Sequence, residues 1–396
     1  MKSPSSRLTV FLIVLLDVMG FGLIIPSQPF LAKHFGATAT TVTLLGTTYS
    51  LMQFLLAPVW GTLSDRLGRR PILLCTILMT AFGHATFAAA TSLSMLFLAR
   101  ALAGTGAANI STAQAVLADT HPPHERSRAM ALVGVAFGLG FVFGPALGSM
   151  LFKFDHRAPA TFGAILAALN FIFVFISLPE TRSREGQSAR YSPSVSDIFA
   201  VDPALRPLVF ITLLFITAFA LMEQSVGLFI EQVWVAASST NHMERATNLT
   251  GNFLVVVGLA AILSQGLLVR KLLKTTPELR LVNAGLLTVG GSLALIPILG
   301  AFGNYPLFLI SGATLALGSG LFNPSMAGLI SLTTPGERQG YGLAVNQSAA
   351  ALGRILGPTS AGWLFSKSSS LPFIVGVVLV TAAVLLCQRV PSRPRN

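Results

Sequence analysis

The stretch Gly61 to Leu74, GTLSDRLGRRPILL, is a short charged segment between two long apolar runs. Val42 to Trp60 precedes it and Ile72 to Ala90 follows it. An apolar run of about 20 residues crosses the hydrocarbon as a helix, because lipid leaves backbone N–H and C=O groups no partner but one another. A segment carrying Asp65, Arg66, Arg69 and Arg70 between two such runs is therefore a turn at a membrane surface. The rest of the chain can be placed relative to it.

Composition agrees with this reading. Only 10% of the 396 residues are charged and 53% are hydrophobic, against roughly 25% charged in soluble domains. The chain reads as a polytopic membrane protein. Its formal net charge of +12 does not require nucleic acid, since arginines in the loops between spans account for it. Cys75 and Cys387 fall at helix ends on the same side, which argues against a disulfide framework. The first apolar stretch reads as a span and not as a signal peptide. Asp17 interrupts it, it runs on to Phe30, and it shows no small-x-small cleavage site.

Hydropathy gives twelve spans, at roughly 8–32, 41–64, 71–91, 94–118, 128–153, 158–178, 205–235, 247–269, 280–300, 304–332, 338–365 and 371–388. The longest stretch outside them is polar and holds Glu180, Arg182, Arg184, Glu185 and Arg190 with Gly, Ser and Pro. It predicts a linker over 179–204 between a six-helix bundle at 1–178 and another at 205–396. With the N-terminus inside, the inner segments carry most of the basic residues, among them Arg66, Arg69, Arg70, Arg126, Arg128, Arg182, Arg184, Arg270, Lys271, Arg280, Arg338 and Arg389. The outer segments carry Lys33, Lys153, Arg157, Arg245 and Lys367. That asymmetry puts both termini and the linker in the cytoplasm.

The halves repeat. Glu125-Arg126, a small-residue helix and Gly140-Phe-Val-Phe-Gly144-Pro145 recur as Glu337-Arg338 and Gly353-Arg-Ile-Leu-Gly357-Pro358. Two related halves joined by a linker are what a transporter with a midplane site between repeats requires.

Ionisable residues inside spans are costly and mark function. A charge at the bilayer centre costs about 2.5–3.5 kcal/mol on insertion scales. Asp17 lies in the first span, roughly 14 Å deep at 1.5 Å per residue. By helical angle Gln28 is expected on the same face. Glu223 lies deep in the seventh span, and Glu231 follows two turns on, towards the outer mouth. Asp17 and Glu223 are the two candidates to load and release a proton. Arg100 and Arg354 also fall inside spans, and a guanidinium stays charged, so each needs an anionic or carbonyl partner. Ser111 and Gln114 share the face of Arg100, whereas Gln347 shares that of Arg354. Tyr49 and Gln53 lie one turn apart. With Gln114, Asn346 and Gln347 they are candidates to line a cavity for an amphiphile. Static helix packing or pairing is the plainer alternative for Asp17, Arg100 and Arg354, and an interfacial position is that for Glu231.

Four stretches carry a family resemblance. Gly61-x-Leu63-x-Asp65-Arg66-x-Gly68-Arg69-Arg70 is similar to the signature between helices 2 and 3 of the major facilitator superfamily. Arg100-Ala-Leu-Ala-Gly104-Thr-Gly106 resembles its helix 4 arginine motif, and Gly134 to Gly148 its helix 5 antiporter motif. Asp17-Val-Met-Gly20-Phe-Gly22-Leu-Ile-Ile-Pro26 is similar to its helix 1 pattern. Within the superfamily the chain resembles the twelve-helix drug/proton antiporters, bacterial tetracycline/proton antiporters among them. The resemblance implies an all-α membrane protein with the major facilitator fold, twelve helices in two pseudo-symmetric six-helix bundles. It implies a role for Arg100 in proton coupling and for Gly140, Gly144, Pro145, Gly357 and Pro358 in a close, leak-controlling seam. It also implies an inner latch built from Asp65, Arg69 and Asp119. The chain departs from tetracycline exporters in two places. They carry an acid in helix 3, where Gly83 stands here beside His84, and one in helix 9, where Leu279 to Leu299 has none. His84 itself is expected to be packing, since helices 3, 6, 9 and 12 are peripheral in this fold.

The chain has no HExxH, GxSxG or Walker pattern, so neither hydrolase chemistry nor ATP drive has sequence support. The expectation is a non-enzymatic, proton-coupled exporter of a small amphiphilic compound, monomeric and without cofactor or metal. The alternatives are a proton-coupled transporter of a siderophore, sugar or lipid, a symporter, and a non-transporting membrane receptor.

Overall fold

The computed structural model describes residues 5–107, 112–113, 116–117, 123–180, 203–235, 241–264, 268–334 and 339–390. Every regular element among them is a helix. In chain order these are α1 Ser5–Ile24, α2 Gln28–His34, α3 Ala39–Leu67, α4 Arg69–Ala88, α5 Leu93–Gly106, α6 Pro123–Phe152 and α7 Ala158–Ser177. They continue with α8 Arg206–Trp234, α9 His242–Leu263, α10 Val269–Thr275, α11 Glu278–Ala301, α12 Tyr305–Thr333, α13 Gln339–Lys367 and α14 Leu371–Cys387. Seven of them are long and apolar enough to cross a membrane unaided, and the bent pair α1–α2 adds an eighth. Leu93–Gly106, Gly138–Phe152 and Leu371–Cys387 are shorter apolar pieces. Large side chains such as Leu55, Phe82, Leu98, Ile165, Ile172, Phe175, Leu287 and Val378 lie exposed along these helices. A surface this apolar suits lipid and would be a liability in water.

Two local expectations are corrected. Gly61–Leu74, expected as a short charged turn, is helical on both sides of a single residue. Helix α3 runs on to Leu67, α4 begins at Arg69, and Gly68 alone reverses the chain at φ +110°, a conformation glycine adopts without penalty. Gly68 has no side chain to cap α4, and the carboxylate of Glu180 does so instead. The first span is also broken. Pro26 has no backbone donor to continue the helix, Ser27 Oγ turns back to the carbonyl of Ile24 at 3.1 Å, and α2 leaves at 41° to α1. Gln28 is buried on α2, so its helical angle does not align it with Asp17.

Contacts divide the chain into two compact units. The first takes α1, α2, α3 from Thr48, α4 to α7, and α9 as far as Val255. In it α1 packs along α6 and α7, and α4 along α5 and α7. Buried Val10, Ile13, Val14 and Val18 of α1 meet Leu73 and Ile77 of α4 and Val174 of α7 in its core. The side chain of Asn170 on α7 donates to the Ile13 carbonyl at 3.2 Å. The second unit takes α3 up to Thr47, α8, the rest of α9 and α10 to α14. In it α8 packs along α13 and α14, and α11 along α12 and α14.

Glycines set the closest approaches, and they do so twice. A Cβ on Gly140 of α6 would stand 2.6 Å from Val18 and 3.1 Å from the Met19 nitrogen of α1, and one on Gly144 would stand 2.8 Å from the Gly22 Cα. On α13 a Cβ on Gly353 would stand 3.0 Å from Ile216 and from the Thr217 nitrogen of α8, and one on Gly357 2.5 Å from the Ala220 Cβ. The partners follow one another along the chain in the same register, so the repeat seen in sequence is a repeat of packing. Small residues are what let membrane helices come this close.

Candidate functional site

Glycines also assemble a polar pocket within the first unit. Gly104 lets α5 press on the backbone of Tyr49 in α3. Gly106 presses on Thr76 and Thr80 of α4, and Gly83 of α4 on Ala103 at 2.6–2.9 Å. With α3, α4 and α5 this near to one another, their side chains meet α1 around a small pocket. Asp17, Phe21, Tyr49, Thr80, His84, Arg100, Ala103 and Ala107 line it. The space is of the order of one water molecule, which suits a proton or a water better than a drug.

Arg100 is buried, 3% exposed. Its guanidinium carbon lies 4.7 Å from the Tyr49 ring centroid and 5.6 Å from that of Phe21. The two rings are 5.0 Å apart, and Phe141 of α6 stands edge-on to Phe21 at 6.1 Å. A guanidinium is planar and weakly hydrated, so aromatic faces can hold it where an ammonium would be less well served. Asp17 supplies the carboxylate of the same pocket. The pocket thus places a fixed positive charge, a titratable negative one and aromatic walls inside the spans.

Asp17, Arg100 and Tyr49 are therefore brought together. Gln53 is not a free cavity group, because its Nε2 donates to the Ala107 carbonyl at 3.1 Å. Arg69 is buried and donates to Ser64 Oγ at 2.9 Å. Asp65 lies on α3 with its side chain outside the described ones, and Asp119, Ser111 and Gln114 lie wholly outside the described residues. Pro145 and Gly148 sit on the α1 face of α6, and Ser149 beside them meets Gly251 of α9. In the second unit Glu223 is half-buried and Glu231 buried on α8, and both make polar contacts. On α13 Arg354 and Gln347 are exposed and Asn346 is half-buried, while Gly357 and Pro358 are buried. None of these second-unit residues lines the Asp17 pocket.

Sequence reasoning missed three participants. Phe21 and Thr80 looked like filler among 28 phenylalanines and many threonines. His84 was assigned to packing, yet it lines the pocket. It is 2% exposed, and neither ring nitrogen has a hydrogen-bond partner among the described residues. A signal was present: Gly83 precedes it, and a glycine in a span marks a close approach. Glu180, which caps α4, was read only as part of the linker.

Two compact helical units with repeated packing and a charged pocket within the spans fit the build of a membrane transporter. The chain matches the Major Facilitator Superfamily over residues 10–302 and 284–396, and it belongs to that family. It is a transporter-family protein and not an enzyme. The class D tetracycline resistance protein of Salmonella ordonez is 29% identical over 95% of this chain and 94% of its own length. Multidrug resistance protein 2 of Bacillus subtilis is 27% identical over 96% and 94%. The quinolone resistance protein NorA of Staphylococcus aureus is 26% identical over 95% and 94%. Among solved structures, the human organic anion transporter MFSD10 superposes with a TM-score of 0.74 at 24% identity, over 98% of this chain and 100% of that one. A bacterial homologue of the human lysosomal transporter Spinster gives 0.78 at 14%, over 98% of each chain. Those likenesses show the major facilitator fold.

Proposed function

We propose that this protein is a proton-driven exporter of small amphiphilic, drug-like compounds, working by alternating access in a bacterial-type cytoplasmic membrane with both termini inside. The observation that carries the reading is the pocket in which Asp17 and Arg100 meet between aromatic walls. Desolvation disfavours a charged carboxylate and a nearby guanidinium favours it. A carboxylate under both influences can load and release a proton as its surroundings change. Glu223 on α8 is the second candidate for the same task, and Arg354 a second fixed charge. The curated relatives, which carry tetracycline, quinolone and multidrug resistance in their names, support drug-like cargo. Protonmotive force is a sufficient drive, since 100 mV supplies about 2.3 kcal/mol per charge moved. No cofactor or metal enters the cycle.

Tyr49, Gln53, Gln28, Gln114, Glu231, Asn346 and Gln347 are proposed to line the cargo path. Asp65, Arg69, Asp119, Gly140, Gly144, Pro145, Gly357 and Pro358 are proposed to control its opening. The test is reconstitution into liposomes with flux of tetracycline, a quinolone and ethidium followed under an imposed pH gradient. The expected result is flux that follows the gradient and falls in Asp17→Asn. Flux indifferent to collapse of the gradient, or to Asp17→Asn and Glu223→Gln together, would sink the coupling.

A further inference from the structure

The imidazole of His84 sits in a slot between two glycines. A Cβ on Gly20 of α1 would stand 3.1 Å from its Nε2, and one on Gly163 of α7 would stand 3.3 Å from its Cγ. The ring is buried, borders the pocket, and has no hydrogen-bond partner at either nitrogen among the described residues. Bulk alone would not need a histidine there, and the second repeat provides the control. Its counterpart of the slot lies between Ala218 of α8 and Gly376 of α14, and it is filled by Leu293 of α11, which is fully buried. The same packing problem is solved with leucine where the neighbouring repeat positions are Phe215 and Phe219 in place of Asp17 and Phe21. A histidine stands only in the repeat that carries the acid. Beside it, glycine stands in place of Ala218 and leaves room at Nε2.

We propose that His84 is a proton relay of this pocket, exchanging a proton with Asp17. This rests on the proton-coupled reading above. A neutral imidazole carries one N–H and one lone pair. In the transfer, a hydronium arriving along water gives its proton to the bare nitrogen and leaves as water, while the other N–H bond breaks and its proton passes to the Asp17 carboxylate. The ring ends neutral as the other tautomer, and the reverse step returns it. The charged and titratable groups facing the ring are Asp17 from α1, Arg100 from α5 and Tyr49 from α3, all of them in the pocket. Helix α7 contributes Gly163 and carries no ionisable residue. In this scheme His84 passes a proton on and Asp17 stores it.

The test is nitrogen NMR of the purified protein in lipid nanodiscs with 15N-labelled histidine, the His84 signals being assigned by their loss in His84→Gln. The expected result is a tautomer balance that changes between mildly acidic and mildly alkaline pH in the wild type and stops responding in Asp17→Asn. A single tautomer throughout, or a response unaltered by Asp17→Asn, would overturn the relay and return His84 to packing. A parallel flux assay separates this from the reading it rests on. Where wild-type ethidium flux follows the gradient, His84→Gln should cut it by roughly two orders of magnitude, the usual worth of a positioned proton-transfer group. Undiminished flux in that variant would overturn the relay. Wild-type flux blind to the gradient, with the NMR link to Asp17 intact, would overturn the coupling and leave the His84–Asp17 exchange standing.

Discussion

Glu180 closes the N-terminus of α4: its Oε1 accepts from the backbone N–H of Arg69 at 2.9 Å and its Oε2 from that of Arg70 at 3.2 Å. A helix N-terminus has orphan N–H donors and a partial positive charge, and a carboxylate answers both. The arrangement also explains why position 68 is glycine beyond its φ. A Cβ there would run into the Glu180 carboxylate. Arg70 makes a second tie to the same end of α7, its guanidinium lying 5.2 Å from the Phe175 ring centroid.

Glu180→Ala should therefore loosen the first turn of α4, with a loss of about 1 kcal/mol for the cap. Hydrogen exchange is the measurement. The Arg69 and Arg70 amides should exchange several-fold faster while those in the middle of α4 stay unchanged. Glu180→Gln, which keeps an acceptor but loses the charge, should fall between.

Gly140, Gly144 and Gly148 of α6 all press on α1. Gly148 faces the Leu23 carbonyl of α1 too closely to admit a side chain, and Gly144 meets Gly22. Gly148→Ala and Gly144→Ala should each lower thermal stability by about 1–3 kcal/mol through overpacking. Gly357→Ala should do likewise in the second repeat. Gly61→Ala is the control, with nothing within 4 Å, and should gain about 0.5–1 kcal/mol because glycine is a poor helix former. Equal losses at all four positions would mean that these glycines act through the backbone and not through the seam.

Arg100 is held by two rings as well as by charge. Arg100→Lys keeps the charge but loses the planar group over Tyr49 and Phe21, and should fail to restore gradient-driven flux to an Arg100→Ala protein. The aromatic contacts themselves are worth about 0.5–2 kcal/mol depending on desolvation. Tyr49→Leu should lower stability by an amount in that range, read by thermal unfolding in detergent.

His84→Leu copies into the first repeat the residue that the second repeat uses at Leu293. Leaving a buried polar group unsatisfied costs about 1–3 kcal/mol. The leucine variant should be more stable than the wild type by up to that amount, while its transport falls. A drop in both would show that the imidazole is held by a partner after all.

Much of this was legible in the chain itself. Spans of about 20 apolar residues cannot hide, and the Gly140/Gly353 repeat reads directly because glycine at a helix contact admits few substitutes. Asp17 and Arg100 stood out because a charge within a span needs a reason. What the sequence left unread depends on side chains meeting across helices. Nothing local to α4 tells that His84 faces α1 and not lipid, for that direction is set by Gly20 and Gly163 on two other helices. Glu180 lies far along the chain from Arg69, and its capping role exists only once α7 returns to the start of α4. The break at Pro26 was legible in principle, and reading 8–32 as one straight span misplaced Gln28.

The single-residue reversal at Gly68 has a practical side. Turns at membrane surfaces are the usual places to insert an epitope, a protease site or a fluorescent tag when sidedness is to be mapped, because exposed loop tips tolerate extra chain. Here there is no loop to lengthen: Leu67 ends one helix, Arg69 starts the next, and the two amides that follow are already engaged by Glu180. A reporter placed there would record its own damage. One placed in the exposed turn at Lys153–Arg157, where α6 hands over to α7, would report which side of the membrane it is on.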